Sequence, residues 1–184
     1  CMESTEKHAG VAEGLSGLRV LSFESRRAME MAKLIRHYGG EPISAPSMRE
    51  IPLDGNAECG AYLQQLSDGA YDAVVLMTGV GLKALADAVV ADWPPARFSA
   101  ALRRATLIAR GPKPVAALRT FGLAADIVVP APNTWREILS TLDAQYPVQG
   151  KRIAVQEYGV SNTEFLQALT QRGAQVQPIA IYRW

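Results

Sequence analysis

Short apolar runs, each followed by a glycine-bearing turn and then by a helical pattern, recur along this chain. Leu18 to Phe23 reads as a strand. Ser25-Arg26-Arg27 then opens a helix whose apolar positions Ala28, Met31, Ala32 and Ile35 stand at i, i+3, i+4 and i+7. Gly39-Gly40 closes that helix, and Pro42 to Ala45 forms the next strand. Ala73 to Met77 leads through Thr78-Gly79-Val80-Gly81 into a helix over Leu82 to Val90. Ala105 to Ala109 leads through Arg110-Gly111-Pro112-Lys113-Pro114 into one over Val115 to Phe121. After a strand at Asp126 to Val129, Thr134 and Glu137 stand at capping-box spacing before a further helix. Strands that alternate with helices in this way form a parallel sheet covered on both faces.

One of these units is repeated. Gly17-Leu18-Arg19-Val20 matches Gly150-Lys151-Arg152-Ile153 at a separation of about 133 residues. Each copy continues into a glutamate-bearing loop, an amphipathic helix, a closing glycine (Gly39 or Gly173) and a strand, the second running from Val176 to Tyr182. The reading is of a flavodoxin-like, doubly wound α/β chain. Residues 1–16 are small, polar and aperiodic, and read as a flexible tail.

Composition removes several classes of function. Nineteen basic residues against eighteen acidic ones give a formal charge of +1, without the basic excess of a nucleic-acid binder. No apolar run is long enough to span a membrane and no leader pattern opens the chain, so a cytoplasmic protein is expected. Cys1 precedes Met2, Cys59 stands alone in a polar stretch, and His8 and His37 are isolated. The expectation is no metal and no disulfide.

In open parallel sheets ligands sit at the carboxyl ends of the strands, where loops enter helix N-termini. Here those loops carry Thr78, Gly79 and Gly81, then Arg110, Gly111 and Lys113, then Asn133, Thr134 and Arg136, and finally Ser161 and Asn162. Ser161 and Glu164 again have capping-box spacing. Unpaired N–H groups and a positive dipole end suit anions, so a row of such loops suits a ligand with several carboxylates. Ordinary turn and cap chemistry accounts for each loop singly. A rival is the G-x-G-x-x-A run at Gly79 to Ala84, the form of a dinucleotide fingerprint. It is not expected to be the first βα turn, and the following strand ends in Arg110 where the fingerprint needs an acid.

The chain resembles the uroporphyrinogen-III synthase family over nearly all of Leu18–Trp184. The resemblance rests on the opening strand–helix–Gly-Gly unit, the Thr78 turn, Gly111-Pro112-Lys113, Leu118-x-x-x-Gly122-Leu123, Gly150-Lys-Arg-Ile153, Arg172-Gly-Ala174 and Ile181-Tyr182-Arg183. It implies two flavodoxin-like lobes joined by a two-stranded connector. Residues 17–46 would begin a discontinuous first lobe, residues 47–184 would form the second with its return strand, and the rest of lobe one would be absent. It also implies cyclisation of hydroxymethylbilane to uroporphyrinogen III, with loss of water and inversion of the last pyrrole, and without a cofactor. Tyr182 would take the place of the family's cleft tyrosine, and self-association could occur through the incomplete lobe.

The sequence also departs from the family pattern. Phe23-Glu24-Ser25-Arg26-Arg27 stands where Thr-Arg is common, and Thr78-Gly79 where Thr-Ser is usual. Pro114 replaces a threonine after Gly-Pro-Lys. With Asn133 to Glu137 and Val155 to Tyr158, these features are similar to a branch sometimes joined to regulatory DNA-binding domains. A non-catalytic tetrapyrrole sensor is the alternative this implies.

Overall fold

The computed structural model describes residues 14–47, 51–52, 56–157 and 159–183, with the side chains at 51, 52, 56, 182 and 183 excepted. The chain divides into two compact units, Cys1–Arg49 and Glu50–Trp184.

The first unit holds β1 (Arg19–Ser22), α1 (Ala28–His37) and β2 (Glu41–Ser44). The two strands pair in parallel, with Arg19 opposite Glu41 and Ser22 opposite Ser44. The Glu24 carboxylate accepts from the backbone N–H of Arg26 at 2.9 Å and of Arg27 at 3.1 Å. These bonds, the Arg27 one foremost, hold it below the usual carboxylate range. The apolar stripe forms a helix as expected, yet Ile35 is the one residue of α1 that is buried. Leu21, Phe23 and Met29 stay more than half exposed. Two strands are too narrow a sheet to cover an amphipathic helix and its flanks.

The second unit runs β3 (Ile51–Pro52), α2 (Asn56–Ser67), β4 (Ala73–Leu76), α3 (Gly79–Val89), α4 (Pro95–Leu102), β5 (Thr106–Ala109), α5 (Pro112–Thr120), β6 (Ile127–Val128), α6 (Trp135–Gln145), β7 (Arg152–Gln156), α7 (Thr163–Gln171), β8 (Gln175–Ile179) and β9 (Tyr182–Arg183). Five strands form one parallel sheet in the order β6-β5-β4-β7-β8. Counted from β4 this is 3-2-1-4-5, whereas a flavodoxin sheet runs 2-1-3-4-5. Alternation along the chain fixes a parallel, two-faced sheet but not the direction in which each crossover steps. The strand expected from Val176 to Tyr182 is broken. β8 ends at Ile179, Ile181 is buried in the core, and β9 pairs antiparallel with β3, Tyr182 opposite Pro52.

Side chains alternate across β4 with the two-residue period of a strand. Val74 and Leu76 join Leu63, Leu82, Leu85, Phe98 and Leu118 beneath α2 to α5. Ala73 and Val75 join Ile138, Leu142, Phe165 and Leu169 beneath α6 and α7. Cys59 corrects one expectation: it lies in α2, buried with Tyr62, Leu63 and Leu66, and is not in a polar stretch. Burial, and secondarily the charge of Glu58, pushes its thiol up, away from reactivity.

The repeat seen in the sequence is a repeat of backbone geometry. Gly17 and Gly150 open their units at φ 75° and 72°, and Gly39 and Gly173 close their helices at φ 82° and 83°. All four occupy the left-handed region that side chains rarely enter.

At the start of α6 Thr134 and Glu137 form the expected capping box. Thr134 Oγ1 accepts from the Arg136 N–H at 3.2 Å, and Glu137 Oε2 accepts from the Thr134 N–H at 2.8 Å. Hydrogen bonds from the Thr134 side chain and backbone hold Glu137 below the usual carboxylate range. Thr134→Ala is expected to cost about 1 kcal/mol at pH 7. A carboxyl group depressed in the folded state stabilises above its unfolded pKa, and that contribution fades as pH falls through the lower folded value. The cost should therefore shrink below about pH 4; urea unfolding of both proteins at pH 7 and pH 3 checks it.

Candidate functional site

β4 and β7 are neighbours, yet the crossovers that follow them step in opposite directions across the sheet. Such a switch point leaves a crevice outside the carboxyl ends of the two strands. Thr78 follows β4 and caps α3, its Oγ1 accepting from the Gly81 N–H at 3.0 Å. Gln156 ends β7 and is 1% exposed. Its Oε1 lies 3.5 Å from the Thr78 N–H, and its Nε2 donates to the Glu157 carbonyl at 2.6 Å. This side chain thus ties the two strand ends together, a role the sequence reading missed. The available signal was a glutamine and a glutamate closing the apolar run Ile153-Ala154-Val155.

The glycines of the rim have neighbours that explain them. A Cβ on Gly79 would stand 2.5 Å from the Lys113 carbonyl oxygen, so this glycine lets α3 approach α5. A Cβ on Gly81 would collide with Gln156 Nε2. A Cβ on Gly111 would meet Asn133 Cγ at 2.9 Å, and Asn133 itself is fixed by donating to the Val129 carbonyl at 2.8 Å. Among the described residues the Gly79 and Val80 N–H groups at the head of α3 have no partner. Pro112 and Pro114 remove two donors from the head of α5, leaving the Lys113 N–H and the Arg110 and Lys113 side chains. The head of α6 is closed by its own acid, and Arg136 lies over the Trp135 ring at 4.4 Å. That third loop is therefore a poorer place for an anion than its composition suggested.

Asn162, and not Ser161 as its spacing to Glu164 suggested, caps the next helix. The helix begins one residue later than the capping-box spacing implied, so Asn162 caps α7, accepting from the Phe165 N–H at 3.0 Å. The Ser161 hydroxyl instead donates to Glu157 Oε1 at 2.6 Å. Met77, Arg110, Val155, Glu157, Val160, Asn162 and Phe165 line a pocket of about 160 Å³ here. Tyr182 lies in β9, but its side chain is outside the described residues. Among the described residues no group of three or more His, Cys, Asp or Glu could hold a metal, and no helix is long and apolar enough to cross a membrane.

The sequence profile described as "Uroporphyrinogen-III synthase HemD" matches residues 29–184. The chain belongs to the uroporphyrinogen-III synthase family. A mutant uroporphyrinogen III synthase from Thermus thermophilus superposes with a TM-score of 0.67 at 26% identity, over 91% of this chain and 62% of that one. The wild-type synthase of the same organism gives 0.59 at 27% identity, with the same coverage. An uncharacterized protein, YjjA of Bacillus subtilis, is 28% identical over 94% of this chain and 63% of its own length. The chain thus spans under two thirds of the relatives it matches.

Within this synthase-family fold the dinucleotide rival can be weighed on geometry. The Gly79 to Ala84 run is not the chain's first βα turn, which follows β1, although it does follow the first strand of the five-stranded sheet. In a dinucleotide site the second glycine opens room for the pyrophosphate. Here the Gln156 carboxamide fills the room beside Gly81.

Proposed function

We propose that the protein binds a polycarboxylate tetrapyrrole at the carboxyl-end rim and acts as a uroporphyrinogen-III synthase. It would close hydroxymethylbilane to uroporphyrinogen III, with loss of water and inversion of the last pyrrole. The observation that carries the reading is the convergence at one switch point of unpaired helix-head N–H groups, two cations and a pocket. Family membership supports the same reaction class. Thr78, Gly79 and Gly81 would present the head of α3, with Arg110, Gly111 and Lys113 meeting carboxylates and Ser161 and Asn162 forming the far wall. Tyr182 would donate a hydrogen bond to the departing hydroxyl, as a phenol is too weak an acid at neutral pH to give up its proton outright. The arrangement asks for no cofactor, since folding and orienting a flexible chain is itself a large part of such catalysis.

The test is a cyclisation assay on the protein at its full native length that resolves the inverted from the uninverted ring. Production of the inverted isomer is expected, with Tyr182→Phe turning over about tenfold more slowly at little changed affinity. Arg110→Ala and Lys113→Ala should weaken binding, and binding should weaken as salt rises. Tetrapyrrole binding with only the uninverted ring formed, at the uncatalysed rate, would make the protein a sensor. Binding of a phosphorylated dinucleotide without tetrapyrrole would overturn the reading altogether.

A further inference from the structure

Among the described residues Glu157 is the one acid lining the switch-point pocket, and it is 8% exposed. Ser161 engages its Oε1 at 2.6 Å, and among the described residues nothing donates to Oε2. Its backbone is pinned on both sides: its N–H donates to the Ile179 carbonyl at 2.9 Å and its carbonyl accepts from Gln156 Nε2 at 2.6 Å. No ion pair joins it to Arg110, although both line the pocket.

The internal repeat makes this residue stand out. Glu24 occupies the matching place in the first unit, about 133 residues earlier, and there the carboxylate is spent on the turn that leads into α1, accepting from the Arg26 and Arg27 N–H groups. In the second copy Asn162 caps the helix and the glutamate, bonded to Ser161 through Oε1, is buried and, among the described residues, left with an open Oε2. A buried acceptor without a donor is costly, so such a group is matched to a donor that arrives with a ligand. A carboxylate on a rim otherwise suited to anions would repel a polycarboxylate unless it met a donor on the same molecule.

Tetrapyrroles carry both kinds of group, carboxylates on their periphery and N–H donors on their rings. We propose that Glu157 accepts hydrogen bonds from pyrrole N–H groups, with Ser161 holding its other oxygen in place; this rests on the tetrapyrrole reading above. At about 160 Å³ the pocket is smaller than the 300–1,000 Å³ common for whole-ligand sites, so it takes one ring of a larger ligand. Glu157 is thereby a specificity residue: it distinguishes a pyrrole-bearing polyanion from any other polyanion of similar charge.

The experiment measures anaerobic binding of uroporphyrinogen, which has four pyrrole N–H groups, and of benzenehexacarboxylate, which has none. The proteins are wild type and Glu157→Gln, both at full native length. The variant is expected to bind the porphyrinogen about tenfold more weakly, since a hydrogen bond to a charged acceptor becomes one to a neutral acceptor. Its affinity for benzenehexacarboxylate should be unchanged or higher, because a negative charge has been removed. Parallel loss of both ligands would mean a damaged fold and overturn the assignment, as would undiminished porphyrinogen binding. Failure of wild type to bind porphyrinogen would instead sink the tetrapyrrole reading, and this inference with it.

Discussion

Phe165→Ala is expected to lower the stability of the second unit by about 3–5 kcal/mol, the range for removing a buried aromatic ring. Phe165 is 0% exposed in the cluster beneath α6 and α7, with its ring centroid 6.4 Å from that of Trp135. Its backbone N–H is also the one that Asn162 caps, so the ring and the start of α7 are fixed together. Domains are stable by only about 5–15 kcal/mol, so this single change removes about a fifth of the margin or more. Phe165→Leu keeps most of the apolar volume and should cost less than about 1.5 kcal/mol. Urea unfolding with an unchanged denaturant slope checks both values. A loss below about 1 kcal/mol for the alanine variant would show that α7 is not held through this ring.

What was legible in the sequence and what was not divide along the range of the interactions involved. The βα units of β4, β5 and β7 were legible because their strands are continuous apolar runs and their helices carry a clear period. α2 and α4 were passed over. In α2 the apolar positions Cys59, Tyr62, Leu63 and Leu66 are interleaved with Gly60, Gln64 and Gln65, and no strand pattern directly precedes it. α4 opens on Pro94 and Pro95, with Pro95 at the first helical position, where proline starts a helix without loss although it breaks one further in. The strand order stayed hidden because nothing local records the direction of a crossover.

The candidate site shows the same division. The capping box at Thr134 and Glu137 is an interaction between near neighbours, and its spacing predicts it. The Ser161 and Glu164 spacing is equally good, yet Asn162 takes the cap, because Ser161 is drawn to Glu157 across the turn. Gln156 escaped notice since its work is done on Thr78, a residue of a different strand end. A glycine in a turn is visible in the sequence; the group that occupies the room it leaves is not.

Gly79→Ala turns that last point into a measurement. A Cβ at this position would lie 2.5 Å from the Lys113 carbonyl oxygen, 3.0 Å from its carbonyl carbon and 3.2 Å from the Ala117 Cβ. The first two are backbone atoms at the head of α5 and cannot swing aside as a side-chain end would. The two helices must separate, disturbing the packing of Leu82 and Leu85 against Leu118 in the first core. Overpacking of this kind costs about 1–3 kcal/mol, against which alanine returns about 0.5–1 kcal/mol of helix propensity. A net loss of up to about 2 kcal/mol is expected, with a thermal midpoint several degrees lower. If Gly79 were present only so that a ligand could approach the backbone, alanine would leave stability unchanged or raise it and would weaken binding alone. Gly81→Ala is the comparison. Its obstacle is the Gln156 carboxamide, which can move by giving up the Glu157 carbonyl, so its stability loss should be the smaller of the two. Equal or reversed losses, read from unfolding curves of the two variants, would overturn the assignment of Gly79 to the contact between α3 and α5.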